Sequence, residues 1–191
     1  LSVDLCVWHA WMRCGGGTYQ SQNRYQTEES FFHEVEKILA PYQDTLQLHQ
    51  GALLHYRPLQ EPIEMLFIDA MKSWPLAEKI VTAFFPRLIP GTSVVVQQDF
   101  VYHSWVGATN HLLMWRLRDY FAPIHFVPGS ASLAFVCKKQ IHPADLADIS
   151  VESFSLEEIG TAYDYALATG PEERDPLWRD AATPPFLLDA Q

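Results

Sequence analysis

Cysteine is scarce in this chain and basic residues never cluster. The three cysteines, Cys6, Cys14 and Cys137, are odd in number and far apart. They offer neither a disulfide framework nor a CxxC metal pair, and a reducing, cytoplasmic setting is the expectation. Lys and Arg total 13 against 23 Asp and Glu, a formal net charge of −10, with no Lys/Arg run. Nucleic acid needs a basic face, so it is not an expected partner. No apolar run approaches the roughly 18–20 residues of a membrane span. The opening stretch LSVDLCVWHAWM is apolar but has no basic n-region and no small-residue cleavage site, and it reads as a core strand. There is no G-x-S-x-G nucleophile elbow. His33, His49, His55, His125 and His142 fall at no metal-ligand spacing.

What remains is an ordinary soluble composition, with 48% apolar and 19% charged residues, in a chain long enough for one real core. Residues 1–8 read as a strand, 13–28 as a Gly/Gln/Ser-rich loop, and 28–39 as a helix with Phe31, Phe32, Val35, Ile38 and Leu39 on one face. Thr27 is placed to cap that helix, and Pro41 to end it. Strands follow at 45–50 and 63–69. A helix starts after Ser73, with Pro75 in its first turn and Pro86 at its end. A Pro-Gly turn leads into a strand over 92–97, and a long helix covers 105–121. Two segments around another Pro-Gly turn, 124–127 and 132–138, read as an antiparallel hairpin. A last helix covers 156–168, with Glu157 and Glu158 as an ordinary first turn, and a Pro- and charge-rich tail follows. Residues 1–150 are thus expected to form an α/β domain, and 151–191 a C-terminal helix and peripheral tail. Helices between apolar strands predict a Rossmann-like, mostly parallel sheet with helices on both faces, closed by the antiparallel hairpin.

Two of the strands end on an acid. In IEMLFIDAMKSW the apolar run stops at Asp69, and in IPGTSVVVQQDF it stops just before Asp99. Ligands in open α/β sheets bind beyond the carboxyl ends of the strands. Neighbouring strands lie about 4.8 Å apart, so the two carboxylates can converge on one oxygen-seeking cation such as Mg²⁺. The plainer role for either one is a helix or turn cap. His103, four residues past Asp99, is a candidate general base in a strand-end loop. His9 and Trp11 lie just past the first strand. Trp74 and Trp105 stand where an aromatic ring stacks on a flat ligand. His111 lies on an apolar helix face and reads as a satisfied core or semi-exposed residue.

IEMLFIDAMKSW followed by FFPRLIPGTSVVVQQDF resembles the second half of a class I S-adenosylmethionine-dependent methyltransferase of the macrocin O-methyltransferase type, a group of small-molecule and sugar O-methyltransferases. That pattern has an apolar strand ending Ile-Asp-Gly-Asp-His-Ser-Tyr, a helix, then Leu-x-Pro-Gly-Gly and an apolar strand ending Asp-Asp-Tyr. The likeness covers residues 31–141, and the closing hairpin suits the antiparallel last strand of that fold. It implies S-adenosylmethionine as cofactor, with Asp4 on the ribose and Gly51 and Asp69 beside it. It implies Mg²⁺ on Asp69 and Asp99, and a small-molecule substrate.

Several positions depart from the pattern. Gln98 stands where the metal-dependent members have a third aspartate. Lys72 stands where they have a histidine base, and Ala52 where an acid often faces the adenine. A lysine serves as a base only when burial lowers its pKa. Residues 1–8 match the family's second strand, so its first strand, glycine-rich loop and first helix would precede Leu1. Gly15, Gly16 and Gly17 do not replace that loop, because they lead into TYQSQNRYQ, which has no helical period. A sheet without its first strand has two open inner edges, from which a homodimer is expected. The resemblance implies a methyltransferase acting on a hydroxyl, with His103 or Lys72 taking the proton. The alternative is a non-catalytic binding or assembly module of the same fold.

Overall fold

The computed structural model describes residues 2–4, 30–57, 60–100, 105–126 and 131–170. The chain groups into two compact units, Leu1–Arg57 and Pro58–Gln191.

In the first unit, strand β1 (Ser2–Asp4) pairs in parallel with β2 (Leu48–Gln50), Asp4 opposite Gln50. Helix α1 (Phe32–Leu39) lies between them in sequence. The expected Thr27 cap lies outside the described residues, and Phe31 occupies the N-cap position with no side-chain bond. Pro41 does not end the helix outright. The backbone tightens into a 3₁₀ turn over Ala40–Tyr42, which tolerates proline at its start because that N–H has no partner to lose.

The second unit holds a four-stranded mixed sheet in the order β3-β4-β6-β5. Strands β3 (Met65–Ile68) and β4 (Val94–Gln97) pair in parallel. The last described strand, β6 (Leu133–Cys137), inserts beside β4 and runs against it, and β5 (Phe121–Phe126) pairs antiparallel with β6 at the far edge. Three strands therefore share one direction and β6 opposes them, so the sheet is mixed, with two antiparallel ladders and one parallel ladder. β4 and β6 are buried along almost their whole length, as expected for central strands covered on both faces. β3 and β5 are edges. Met65 and Phe67 on β3 are 66% and 56% exposed. Pro123, which has no N–H to give to a ladder, sits on β5 beside a register shift between Pro123 and His125.

Helix α2 (Trp74–Phe84) starts with Pro75 in its first turn and buries Ala77, Ile80, Val81 and Phe84. The chain leaves it through a 3₁₀ turn, Phe85–Arg87. It then reverses at Pro90-Gly91, where Thr92 N donates to Ile89 O. Gly91 has φ 74°, the left-handed value a type II turn needs at its third residue. Helix α3 (Trp105–Arg116) is shorter than expected. Residues 117–120, expected to be helical, form a turn, because Phe121 begins β5 and buries itself against Phe85, ring centroids 5.3 Å apart. Helix α4 (Leu156–Thr169) begins with a capping box: Ser155 Oγ accepts from Glu158 N and Glu158 Oε2 accepts from Ser155 N. It packs on α3 through Leu112, Trp115, Phe154 and Ala162. Arg116, in the last turn of α3, reaches Glu158 Oε1 at 3.3 Å and lies 4.3 Å over the Phe154 ring. A cation at one helix C-terminus and an anion at the next N-terminus both oppose the local helix dipoles. Among the described residues, no helix is long and apolar enough to cross a membrane.

Candidate functional site

The parallel register sets Ile68 opposite Gln97, so the chain leaves β3 and β4 side by side at the same end of the sheet. The two exits differ. After Ile68 come Asp69 and Ala70, and then Met71, which is 1% exposed and anchors the loop in the core. Lys72 N closes a tight turn on Ala70 O at 2.8 Å. After Gln97 the chain turns through Gln98 and Asp99 to Phe100, which is fully buried against Phe135 of β6 at 5.2 Å between ring centroids. Asp99, held between a strand and a buried ring, has φ 61°. It is the only described non-glycine residue in the left-handed region, which Asp and Asn enter more readily than other side chains do.

The two carboxylates do converge on a cation, and the cation is part of the chain. Lys72 Nζ lies 2.6 Å from Asp69 Oδ1 and 2.9 Å from Asp99 Oδ2. The Lys72 and Asp69 side chains are 44% and 45% exposed, and Asp99 is 23% exposed, so the group forms a rim open to solvent. Burial pulls the lysine pKa down, but hydrogen bonds and attraction from Asp69 and Asp99 outweigh it and leave the pKa above its ordinary value. Lys72 is therefore an ammonium at neutral pH, a donor to the carboxylates rather than a free amine.

Helix α3 holds both exits in place with three consecutive side chains. Thr109 Oγ1 donates to Met71 O, on the Asp69 loop. Asn110 Nδ2 donates to Gln98 O at 3.4 Å, and His111 Nε2 donates to Phe100 O, both on the Asp99 turn. The His111 contact requires the tautomer with its proton on Nε2, and the ring also meets Phe100 edge-on at 5.1 Å. Asn110 and His111 are 3% and 4% exposed. Of the two expected places for His111, core or semi-exposed, the structure shows the core, and the residue also ties down the site. The Oε1 of buried Gln97 and the Oδ1 of Asn110 have no partner among the described residues.

Of the residues singled out in the sequence, Asp69, Lys72 and Asp99 meet at this rim. His103 and Gly15–Gly17 lie outside the described residues, as do His9 and Trp11, and Trp105 is described in its backbone alone. Asp4 ends β1 and Gly51 follows β2, both in the first unit; only the backbone of Asp4 is described. Trp74 is not an open platform. Its ring packs edge-on against Phe154 at 5.6 Å, within the cluster joining α3 and α4. Sequence reasoning passed over Thr109 and Asn110. Their signal was a run of three polar residues, Thr-Asn-His, inside an otherwise apolar helix, where polar groups need specific partners.

The donor set at the rim does not fit a divalent cation while Lys72 lies between the carboxylates. A Mg²⁺ needs oxygens at about 2.1 Å, in the place the ammonium holds. Among the described residues no group of three or more His, Cys, Asp or Glu side chains is placed to hold a metal.

No protein-family model matches this chain, and no curated protein matches its sequence.

Proposed function

We propose that this chain is a class I methyltransferase-like protein with a Rossmann-type sheet, and that it transfers a methyl group from S-adenosylmethionine to a hydroxyl of a small molecule or sugar. The observation that carries this reading is the convergence of Asp69 and Asp99 from two adjacent parallel strands, at the sheet end where α/β folds bind ligands. The antiparallel β6 beside β4 supports it too, since the resembled fold ends on an antiparallel strand. Bound there, S-adenosylmethionine would supply an electrophilic methyl group on a sulfonium. The residues of this chain would line the junction of cofactor and acceptor: Asp69 takes a hydrogen bond from the cofactor, Asp99 takes one from the acceptor's hydroxyls, and Lys72 donates to the acceptor's oxygens. Holding the two reactants in line is the main source of rate in such a transfer. The protonated Lys72 is a poor proton acceptor, so the base in this reading is His103.

One observation favours a second reading. The Lys72 ammonium at the rim is tied to both acids, an arrangement suited to holding a loop as much as to chemistry. On that reading the chain is a non-catalytic binding or assembly module. Calorimetric titration with S-adenosylmethionine and S-adenosylhomocysteine separates the two. Micromolar binding that falls in Asp69→Ala, with methyl transfer lost in His103→Ala, supports the enzyme. A folded chain that binds neither compound refutes the enzyme and leaves the module.

A further inference from the structure

Two carboxylates brought to neighbouring strand ends repel each other unless positive charge lies between them. Proteins commonly meet that need with a hard divalent ion held by carboxylates and water. Here the need is met within the chain. Lys72 follows Asp69 by three residues on the same loop, and its ammonium touches one oxygen of each acid, at 2.6 and 2.9 Å. The positions of the acids do not depend on the lysine alone. Asp99 is fixed by its left-handed backbone, by buried Phe100 and by the Asn110 and His111 bonds. The Asp69 loop is fixed by buried Met71 and the Thr109 bond.

We infer that Lys72 is a tethered replacement for a divalent cation: its ammonium takes the seat between Asp69 and Asp99, so the folded protein binds no Mg²⁺ or Mn²⁺ there. A tethered cation is not diluted away and is not removed by chelators, and it needs no displacement of tightly held water. The rim thus has a fixed formal charge, two acids and one ammonium, whatever the metal content of the surroundings. Any ligand of the rim therefore meets hydrogen-bond donors and acceptors but no Lewis acid. The inference concerns the rim alone and stands whether or not S-adenosylmethionine binds.

The test is titration of the full chain with MnCl₂, followed by calorimetry and by the electron paramagnetic resonance signal of free Mn²⁺. The wild type should show no saturable binding that depends on Asp99. Lys72→Met, which keeps most of the length of the side chain and removes its charge, should bind Mn²⁺ roughly tenfold or more tightly than the wild type. Adding Asp99→Asn to Lys72→Met should abolish the gain. Lys72→Arg, which keeps the cation, should stay as indifferent to Mn²⁺ as the wild type. If Lys72→Met does not fold, Lys72→Gln takes its place, and the wild-type and Lys72→Arg titrations still decide the first half. Saturable wild-type binding that disappears in Asp99→Asn overturns the inference, since the metal would then displace the lysine. So does a folded Lys72→Met or Lys72→Gln protein with no gain in Mn²⁺ affinity.

Discussion

Lys72 Nζ and Asp99 Oδ2 lie 2.9 Å apart, joining the exit of one strand to the exit of its parallel neighbour. With the shorter contact to Asp69, this makes a three-charge chain across the end of the sheet. Exposed pairs of this kind contribute little, typically 0–1 kcal/mol. The consequence of the arrangement is electrostatic and geometric more than energetic, and its predictions separate charge from backbone.

Asp99 carries a backbone requirement as well as a charge. Its φ of 61° penalises a β-carbon without local hydrogen bonding by roughly 1–2 kcal/mol. Chemical denaturation should show Asp99→Ala about 1 kcal/mol less stable than Asp99→Gly. Both should lose the Lys72 contact equally. Equal stabilities would mean that the turn relaxes when the side chain is lost. The proposed function makes a separate demand: Asp99→Gly should weaken S-adenosylmethionine binding far more than it weakens folding.

The pH dependence of Lys72 has a definite sign. Its folded pKa lies above the ordinary value, despite burial, because of Asp69 and Asp99. Its contribution to stability is therefore complete below the unfolded lysine value of about 10.4 and is lost as pH rises through the folded pKa. Denaturation curves for the wild type and Lys72→Met should differ most at neutral pH and converge at strongly alkaline pH. A difference that stays constant across that range would count against the pairing.

Thr109 is predicted to matter to the rim through a backbone carbonyl. Thr109→Val keeps the shape and removes the donor to Met71 O. A net loss of about 1 kcal/mol is expected, together with faster amide exchange over residues 69–73. The same substitution should leave the α4 amides unaffected. Exchange unchanged over 69–73 would show that Met71 burial alone holds the loop.

At the other end of α3, the capping box of α4 gives an acid-side prediction. The Glu158 carboxyl is held below its usual range chiefly by the hydrogen bond from the Ser155 backbone, against an opposing effect of burial, with Arg116 and the Ser155 side chain adding to the lowering. This contribution is present above the unfolded carboxyl value and fades as pH falls through the lowered folded one. Ser155→Ala should cost about 1 kcal/mol at neutral pH. Glu158→Gln should remove part of the acid-dependent loss of helix, as read by circular dichroism.

The strands that end in acids were legible because a short apolar run bounded by turn residues is a local signal. Asp69 and Asp99 fall where that signal placed them. The start of α2, with Pro75 in its first turn, and the extent of α4 were legible for the same reason. Three features were not legible. The end of α3 was overextended, because nothing in residues 117–120 opposes a helix until Phe121 is needed in the sheet. Lys72 reads as a candidate base in the sequence, which gives its spacing from Asp69 but not the approach of Asp99 from another strand. The place of β6 was hidden most thoroughly. Two apolar segments around a Pro-Gly sequence read as neighbours, and β5 and β6 do pair, but nothing local says that the second one fills the gap beside β4.

That placement has a consequence for how the molecule is made. Val94, Val95 and Val96 of β4 pair with Val136, Phe135 and Ala134, which leave the ribosome last among the described strands. Until then β4 has an open side made of three valines, the kind of edge that recruits other chains. Contacts this distant in sequence also close slowly. A nascent chain stopped before Leu133 should thus be a better substrate for chaperones, and a worse survivor without them, than one stopped just after Cys137.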